Sequence, residues 1–441
     1  MPDAWTSAEL CDGRWAGPVL VRGLSGCGKT RLALQRAVFL VEGLGKRRVL
    51  FLVGSPGAAV RLARQIPEGL RDRIELSPMR SWIAARCRRL GLRYSPITEA
   101  DRKRLWSVAM QSASSQLSLA CCQAEWLQVQ AWGIRELSDY LAMPSEGREE
   151  REKMQLWDVL TTYRAALDAE GLAGPDDYAR MLSELLRDNP ALRLHDAVVV
   201  DNVEDASLAE LRLLRQLLAW QENDLFLLGE AAQRLHPAPA ACRHAGIHLE
   251  QRHFELRRDW RCAQATHDWA LRVLATCAFD DLDGGTRSEL GVVGHEQGEG
   301  PQVQGFADFE EELAFVSELL ERWLGELAAD EIAVCCREPR TLRTVQRQLE
   351  GASVPVQVLD SAVESEQAAV CLASFAQVKG LEFERVIVVD AGTQSRPSQT
   401  GLATLCQERA ELLERVALYV ACTRARSQLV VTYHGQAAAW F

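Results

Sequence analysis

The chain has 441 residues, 47% of them hydrophobic, and a formal net charge of −11. Length and apolar content suffice for two or more packed globular domains, and no apolar run approaches the ~20 residues that a membrane span needs. The acidic balance excludes binding to nucleic acid through overall charge, so any such contact requires a local excess of Lys and Arg.

Met1-Pro-Asp-Ala-Trp5 has neither the basic flank nor the apolar core of an export signal, which predicts a cytoplasmic protein with no membrane partner. The apolar run Pro18-Val-Leu-Val21 predicts a strand. Directly after it, Gly23-Leu-Ser-Gly-Cys-Gly-Lys29-Thr30 fits the pattern Gly-x-x-x-x-Gly-Lys-Ser/Thr at every fixed position. That spacing suits a phosphate-binding loop. Gly23, Gly26 and Gly28 let backbone N–H groups turn toward a phosphate, Lys29 reaches the β/γ oxygens, and the Thr30 hydroxyl takes a place on Mg²⁺. The helix predicted from Arg31 adds its positive N-terminal end to the same anion. The loop therefore predicts a bound nucleoside triphosphate, with Ser25 and Cys27 among its lining residues. Cys27 could be oxidation-sensitive, but packing is its expected role. The thirteen cysteines include no Cys-x-x-Cys pair and suit reduced buried thiols better than disulfides or a zinc site.

A second strand is predicted at Val49–Val53. Between Arg61 and Arg93 the chain then carries nine arginines against only Glu68, Asp72 and Glu75, a strip suited either to a solvated helix face or to phosphate contacts. The long helical stretch from Ser81 to Asn189 exceeds a normal crossover and predicts an inserted helical subdomain, about residues 94–190. Its stripe Leu156, Leu160, Tyr163 and Leu167 is expected to be core. The run Ala197-Val-Val-Val200 ends in Asp201, where such enzymes hold Mg²⁺, and Leu225–Leu228 is a fourth strand. A second set of strands follows at 331–335, 354–358, 370–374, 385–389 and 428–432. Continuous apolar strands separated by helices indicate parallel sheets covered on both faces. The expected domains are 1–248 and 249–441, with Asp283 to Gly305 a surface loop.

Further motifs follow Asp201: Leu228-Gly-Glu-Ala-Ala-Gln233, Leu256-Arg-Arg-Asp-Trp-Arg261, Val378-Lys-Gly-Leu-Glu-Phe383 and Tyr419-Val-Ala-Cys-Thr-Arg-Ala425. In this order and spacing the chain resembles the UvrD/Rep-type superfamily 1 helicases, from about Val19 to Tyr433. The resemblance implies an α/β P-loop NTPase of two RecA-like domains that translocates 3′ to 5′ on single-stranded DNA using ATP and Mg²⁺. It assigns Lys29, Thr30 and Asp201 to phosphate and metal, Gln233 to the γ-phosphate, Trp260 to the nucleotide base and Glu382 to the ribose. Arg261 and Arg424 match its two arginine fingers, a device worth roughly 10³ to 10⁵ in rate.

The chain departs from that family at several positions. Asn202 stands where the family has the glutamate that polarises water, and an amide cannot act as a base. Glu204 lies two residues on, displaced by more than proton transfer tolerates. After Gln233 the sequence Arg234-Leu-His-Pro-Ala-Pro-Ala240 lacks the family's stacking aromatic, and Pro78-Met-Arg-Ser81 with Trp82 replaces another DNA-side element. The upstream adenine-reading glutamine is absent, since the first glutamine is Gln35, and the link from Val358 to Val370 leaves no room for the family's large second-domain insertion. The expectation is a minimal helicase or translocase with impaired hydrolysis. The alternative is a catalytically weak ATP-binding subunit serving as a switch or scaffold beside a protein partner in a repair, recombination or defence complex. A small-molecule kinase would leave the last two motifs unexplained.

Overall fold

The computed structural model describes residues 6–92, 94–112, 117–143, 149–235, 241–287, 298–359, 368–392 and 404–441. Two six-stranded parallel sheets organise it. The first comprises β1 (Val19–Gly23), β2 (Val49–Val53), β3 (Ile74–Pro78), β4 (Ala197–Asp201), β5 (Leu225–Gly229) and β6 (His253–Leu256), in the order β3-β2-β4-β5-β1-β6. The second comprises β7 (Gln302–Phe306), β8 (Ile332–Cys336), β9 (Val356–Val358), β10 (Val370–Ser374), β11 (Phe383–Val389) and β12 (Ala425–His434), in the order β7-β12-β11-β8-β10-β9. The interior strands are buried almost end to end, as parallel strands covered on both faces must be.

The sheets differ from the sequence expectation at their margins. β3, β6 and β7 are edge strands with little burial, so no continuous apolar run marks them. Two stretches expected to be surface loop pair instead: Thr286–Arg287 with Phe279–Asp280, and β7 with β12. Residues 288–297 of that stretch lie outside the described residues. The first sheet also extends past 248, because β6 pairs with β1, and the crossing to the second sheet falls after Leu256.

The helical insertion has its own core. Leu105, Trp106, Leu156, Leu160, Tyr163 and Leu167 pack there, with Trp106 and Tyr163 stacked at 4.0 Å between ring centroids. The expected stripe is therefore core. Pro175–Asp188, however, belongs elsewhere: Tyr178, Ala179, Leu182 and Leu186 join the core of the first sheet. The insertion's own cluster runs from Ile97 to Leu172, shorter than 94–190. One continuous apolar cluster reaches from the first sheet to the inner face of the second, through Phe383, Val416 and Tyr419. Among the described residues no helix is long and apolar enough to cross a membrane.

Candidate functional site

β1 delivers the chain into the loop Gly23–Thr30 at the C-terminal edge of the first sheet. Gly26 and Gly28 take φ of +80° and +82°, a left-handed conformation that side chains resist. Gly28 caps the helix Lys29–Glu42 without a side-chain acceptor, so the first-turn N–H groups remain available to an anion. A Cβ on Gly26 would stand 1.8 Å from Asp259 Oδ1, so glycine there serves close approach as well. The Lys29 ammonium is buried and donates to the carbonyls of Gly23 (2.5 Å) and Leu24 (3.0 Å). Burial lowers its pKa, opposed chiefly by Glu204. The Thr30 hydroxyl donates to Asp201 Oδ2 at 2.6 Å, and burial raises the Asp201 pKa against that bond. Cys27 is 3% exposed and burial pushes its thiol up to about 12, which makes it a packing residue.

The segment after β4 faces the same cleft. Asn202 adopts φ +64°, and its side-chain amide donates to Glu204 Oε1 at 3.4 Å. Glu204 is fully occupied: Oε2 accepts the Glu230 N–H at 3.2 Å and Oε1 pairs with Lys379 Nζ at 2.6 Å. Lys379 also donates to Asp205 Oδ2 (2.5 Å) and to the Gln233 carbonyl (2.7 Å). Burial works against its charge, yet Asp205 and Glu204 together raise its pKa. Gln233 is 4% exposed, and its Nε2 has no hydrogen-bond partner among the described residues. Arg234 forms a two-pronged pair with Asp280, and residues 236–240 lie outside the described residues.

From the other side two arginines converge on the loop. Arg261 Nη1 donates to Ser25 Oγ at 2.8 Å and to the Thr423 carbonyl at 3.2 Å, while Arg424 Nη2 donates to the same Ser25 hydroxyl. Arg424 is 3% exposed, and burial, then the neighbouring Arg261, pushes its pKa down to about 9. Burial works against the Arg261 charge, yet Glu382, Cys262 and Asp259 together raise its pKa. Glu382 holds Arg261 with one oxygen and Arg426 with the other. Trp260 is 53% exposed, with the Arg258 guanidinium 4.1 Å from its ring centroid. Lys29, Thr30, Asp201, Gln233, Arg261, Arg424 and Glu382 thus meet around one cleft, and Trp260 lies at its margin.

Sequence reasoning missed the group that holds this arrangement. Asp259 and His267 are both fully buried and bonded at 2.6 Å. Asp259 Oδ1 accepts the backbone N–H groups of Arg261 and Cys262, while the Trp260 N–H donates to Gly26 O at 3.0 Å. This pins the turn bearing Arg261 against the loop. Tyr419 adds its hydroxyl, which accepts the Ser25 N–H. An Asp and a His eight residues apart give no sequence signal for such a pair.

Five arginines of the strip, Arg61, Arg71, Arg73, Arg80 and Arg86, are held within the chain, while Arg64, Arg88 and Arg89 are exposed. Arg61 donates to the Gly380 carbonyl, Arg73 to Lys46, Arg86 to Leu192, and Arg80 pairs with buried Glu210. Trp82, beside the replaced DNA-side element, is 6% exposed and donates to Glu75, so it is core. Arg93 lies outside the described residues.

Fold and site define an α/β protein of parallel sheets with the loop Gly23–Thr30 in the cleft between them. Residues 360–436 match the family model of the UvrD-like helicase C-terminal domain, a segment that includes Lys379–Phe383 and Thr423–Ala425. Among solved structures, the C-terminal domain of a possible DNA helicase from Lactobacillus plantarum WCFS1 is similar at 20% identity and a TM-score of 0.31, over 41% of this chain and 91% of that one. Curated proteins include none that matches the sequence.

Proposed function

We propose that the chain is a UvrD-like helicase-type motor protein of two RecA-like domains, which binds ATP and Mg²⁺ in the cleft and hydrolyses ATP weakly. The observation that carries this reading is the convergence of Arg261 and Arg424 on Ser25 of the loop that also holds Lys29. Three cations and an open helix N-terminus then surround a site for a polyanion, and positioned cations account for most of phosphoryl-transfer catalysis. Thr30 and Asp201 offer hard oxygens 2.6 Å apart, a donor set suited to Mg²⁺ shared with phosphates. ATP supplies the phosphoanhydride whose cleavage would be coupled to closure of the cleft. Gln233 and the first-turn N–H groups would orient it, and the two arginines would stabilise charge that develops on the transferred group. Single-stranded DNA is the expected track.

A second reading is favoured by the base position. Asn202 carries no base, and Glu204 is tied to Lys379, so a switch or scaffold subunit that clamps ATP without efficient turnover fits as well. Measured ATP turnover, with and without single-stranded DNA, separates the two. Expected are slow native turnover, none in Lys29→Ala, and a rise of about tenfold or more in Asn202→Glu, since a positioned base contributes typically 10²–10⁴. Fast DNA-stimulated turnover by the native chain would overturn the impairment. Failure of the native chain to bind ATP would overturn the whole proposal.

A further inference from the structure

The helix Pro339–Gly351 buries Leu342, Val345 and Leu349 against the second sheet and turns Arg340, Arg343 and Arg347 outward. Spacings of three and four put these arginines on one face, about 5–6 Å apart from neighbour to neighbour. With Thr344, Gln346 and Glu350 they line an open concavity. Several surface arginines pair with acids, as Arg104 does with Glu170, Arg180 with Glu184, Arg257 with Glu255 and Arg385 with Glu326, while others, such as Arg31, Arg47 and Arg272, stand singly in solvent. Those of the groove also lack an acid but stand together. Among the described residues the Arg340 and Arg343 guanidinium groups have no partner, and Arg347 uses only Nε, on the Arg343 carbonyl. Glu350, the single acid of the groove, accepts from Gln346 at its far end.

In a chain of charge −11, three unneutralised arginines in one groove are the local excess that phosphate contact requires. The helix begins beyond β8, at the edge of the sheet from which the turn after β10 carries Lys379 to Glu204. The Arg340 end of the groove therefore lies at the same edge of the second sheet as that turn. We infer that Arg340, Arg343 and Arg347 form a sequence-independent track for the phosphates of single-stranded DNA. This rests on the helicase-type reading above and names the surface that would hold its nucleic acid.

Binding of a fluorescent oligo-dT to the full chain, followed by anisotropy at about 50 and about 200 mM salt, tests the track. Each phosphate contact on a single strand contributes about −0.7 to the slope of log K against log salt. The variant R340A/R343A/R347A should bind at least tenfold more weakly, with the slope flattened by roughly 2. The variant R102A/R187A/R322A, which removes equal charge elsewhere, should stay within about twofold of native. R340K/R343K/R347K, which keeps the charge, should retain most of the slope, a result that mere loss of packing would not give. Native-like binding by the alanine variant would overturn the track and leave the helicase-type reading standing. No binding by the native chain at the lower salt would overturn the track and the DNA part of that reading together, while ATP binding, measured separately, would still judge the cleft.

Discussion

Asn202 takes φ +64°, a region where Asn is tolerated and most side chains cost about 1–2 kcal/mol. The local backbone therefore suits an amide, and the Glu of the Asn202→Glu variant carries that strain. Cys27, in the loop itself, is governed by burial. Its thiol, like that of Cys262, holds its proton up to about 12, whereas an unfolded thiol releases it near 9. The folded state thus binds more protons across that interval, so the stability is complete below about pH 9 and is lost as pH rises toward 12. The loss reaches ~1.4 kcal/mol per pH unit for each such thiol. Thermal melts should fall in midpoint from pH 9 upward, less so in Cys27→Ala. Alkylation of native Cys27 at pH 8 as fast as a free thiol would contradict its burial.

The strand β1, the loop and the helix Lys29–Glu42 act as one device, and Gly26 is the position where conformation and contact coincide. Gly28→Ala meets only backbone strain, about 1–2 kcal/mol, because no atom lies within 4 Å of its added Cβ. Gly26→Ala meets the same strain and drives a methyl into the Asp259 carboxylate. Its melting point and its affinity for a fluorescent nucleotide should both fall well below those of Gly28→Ala, and equal behaviour of the two would refute the pin. This device was legible in the sequence because loop glycines and Lys29 sit at fixed spacing after an apolar strand. The interior strands were legible for the same reason, being runs of Val, Leu and Ile that a two-sided burial demands. Edge strands β3, β6 and β7 were not, since most of their side chains are only partly buried and no apolar run results, whereas the edge strand β9 was, through Val354, Val356 and Val358. Nor was the Asp259–His267 pair, whose meaning exists only once the turn folds over Gly26.

The two sheets meet through polar groups as well as through the shared apolar cluster, and Lys379 is the most concentrated of these contacts. It reaches from the turn between β10 and β11 to Glu204, Asp205 and the Gln233 carbonyl. Its side chain is 10% exposed and that of Glu204 is 0% exposed, so removing the cation leaves a carboxylate buried and uncompensated. Breaking such a pair from one side costs about 3–5 kcal/mol, whereas removing both sides costs little. Lys379→Met should therefore lower the melting midpoint by roughly 5–10 °C. The triple change Lys379→Met, Glu204→Gln and Asp205→Asn should recover most of that loss, because no unpaired charge remains. A triple variant as unstable as Lys379→Met alone would mean that the lysine acts through packing, and the electrostatic joint would have to be abandoned. Recovery would place the coupling between the sheets in carboxylates two and three residues beyond Asn202, so that groups lining the cleft also hold it together.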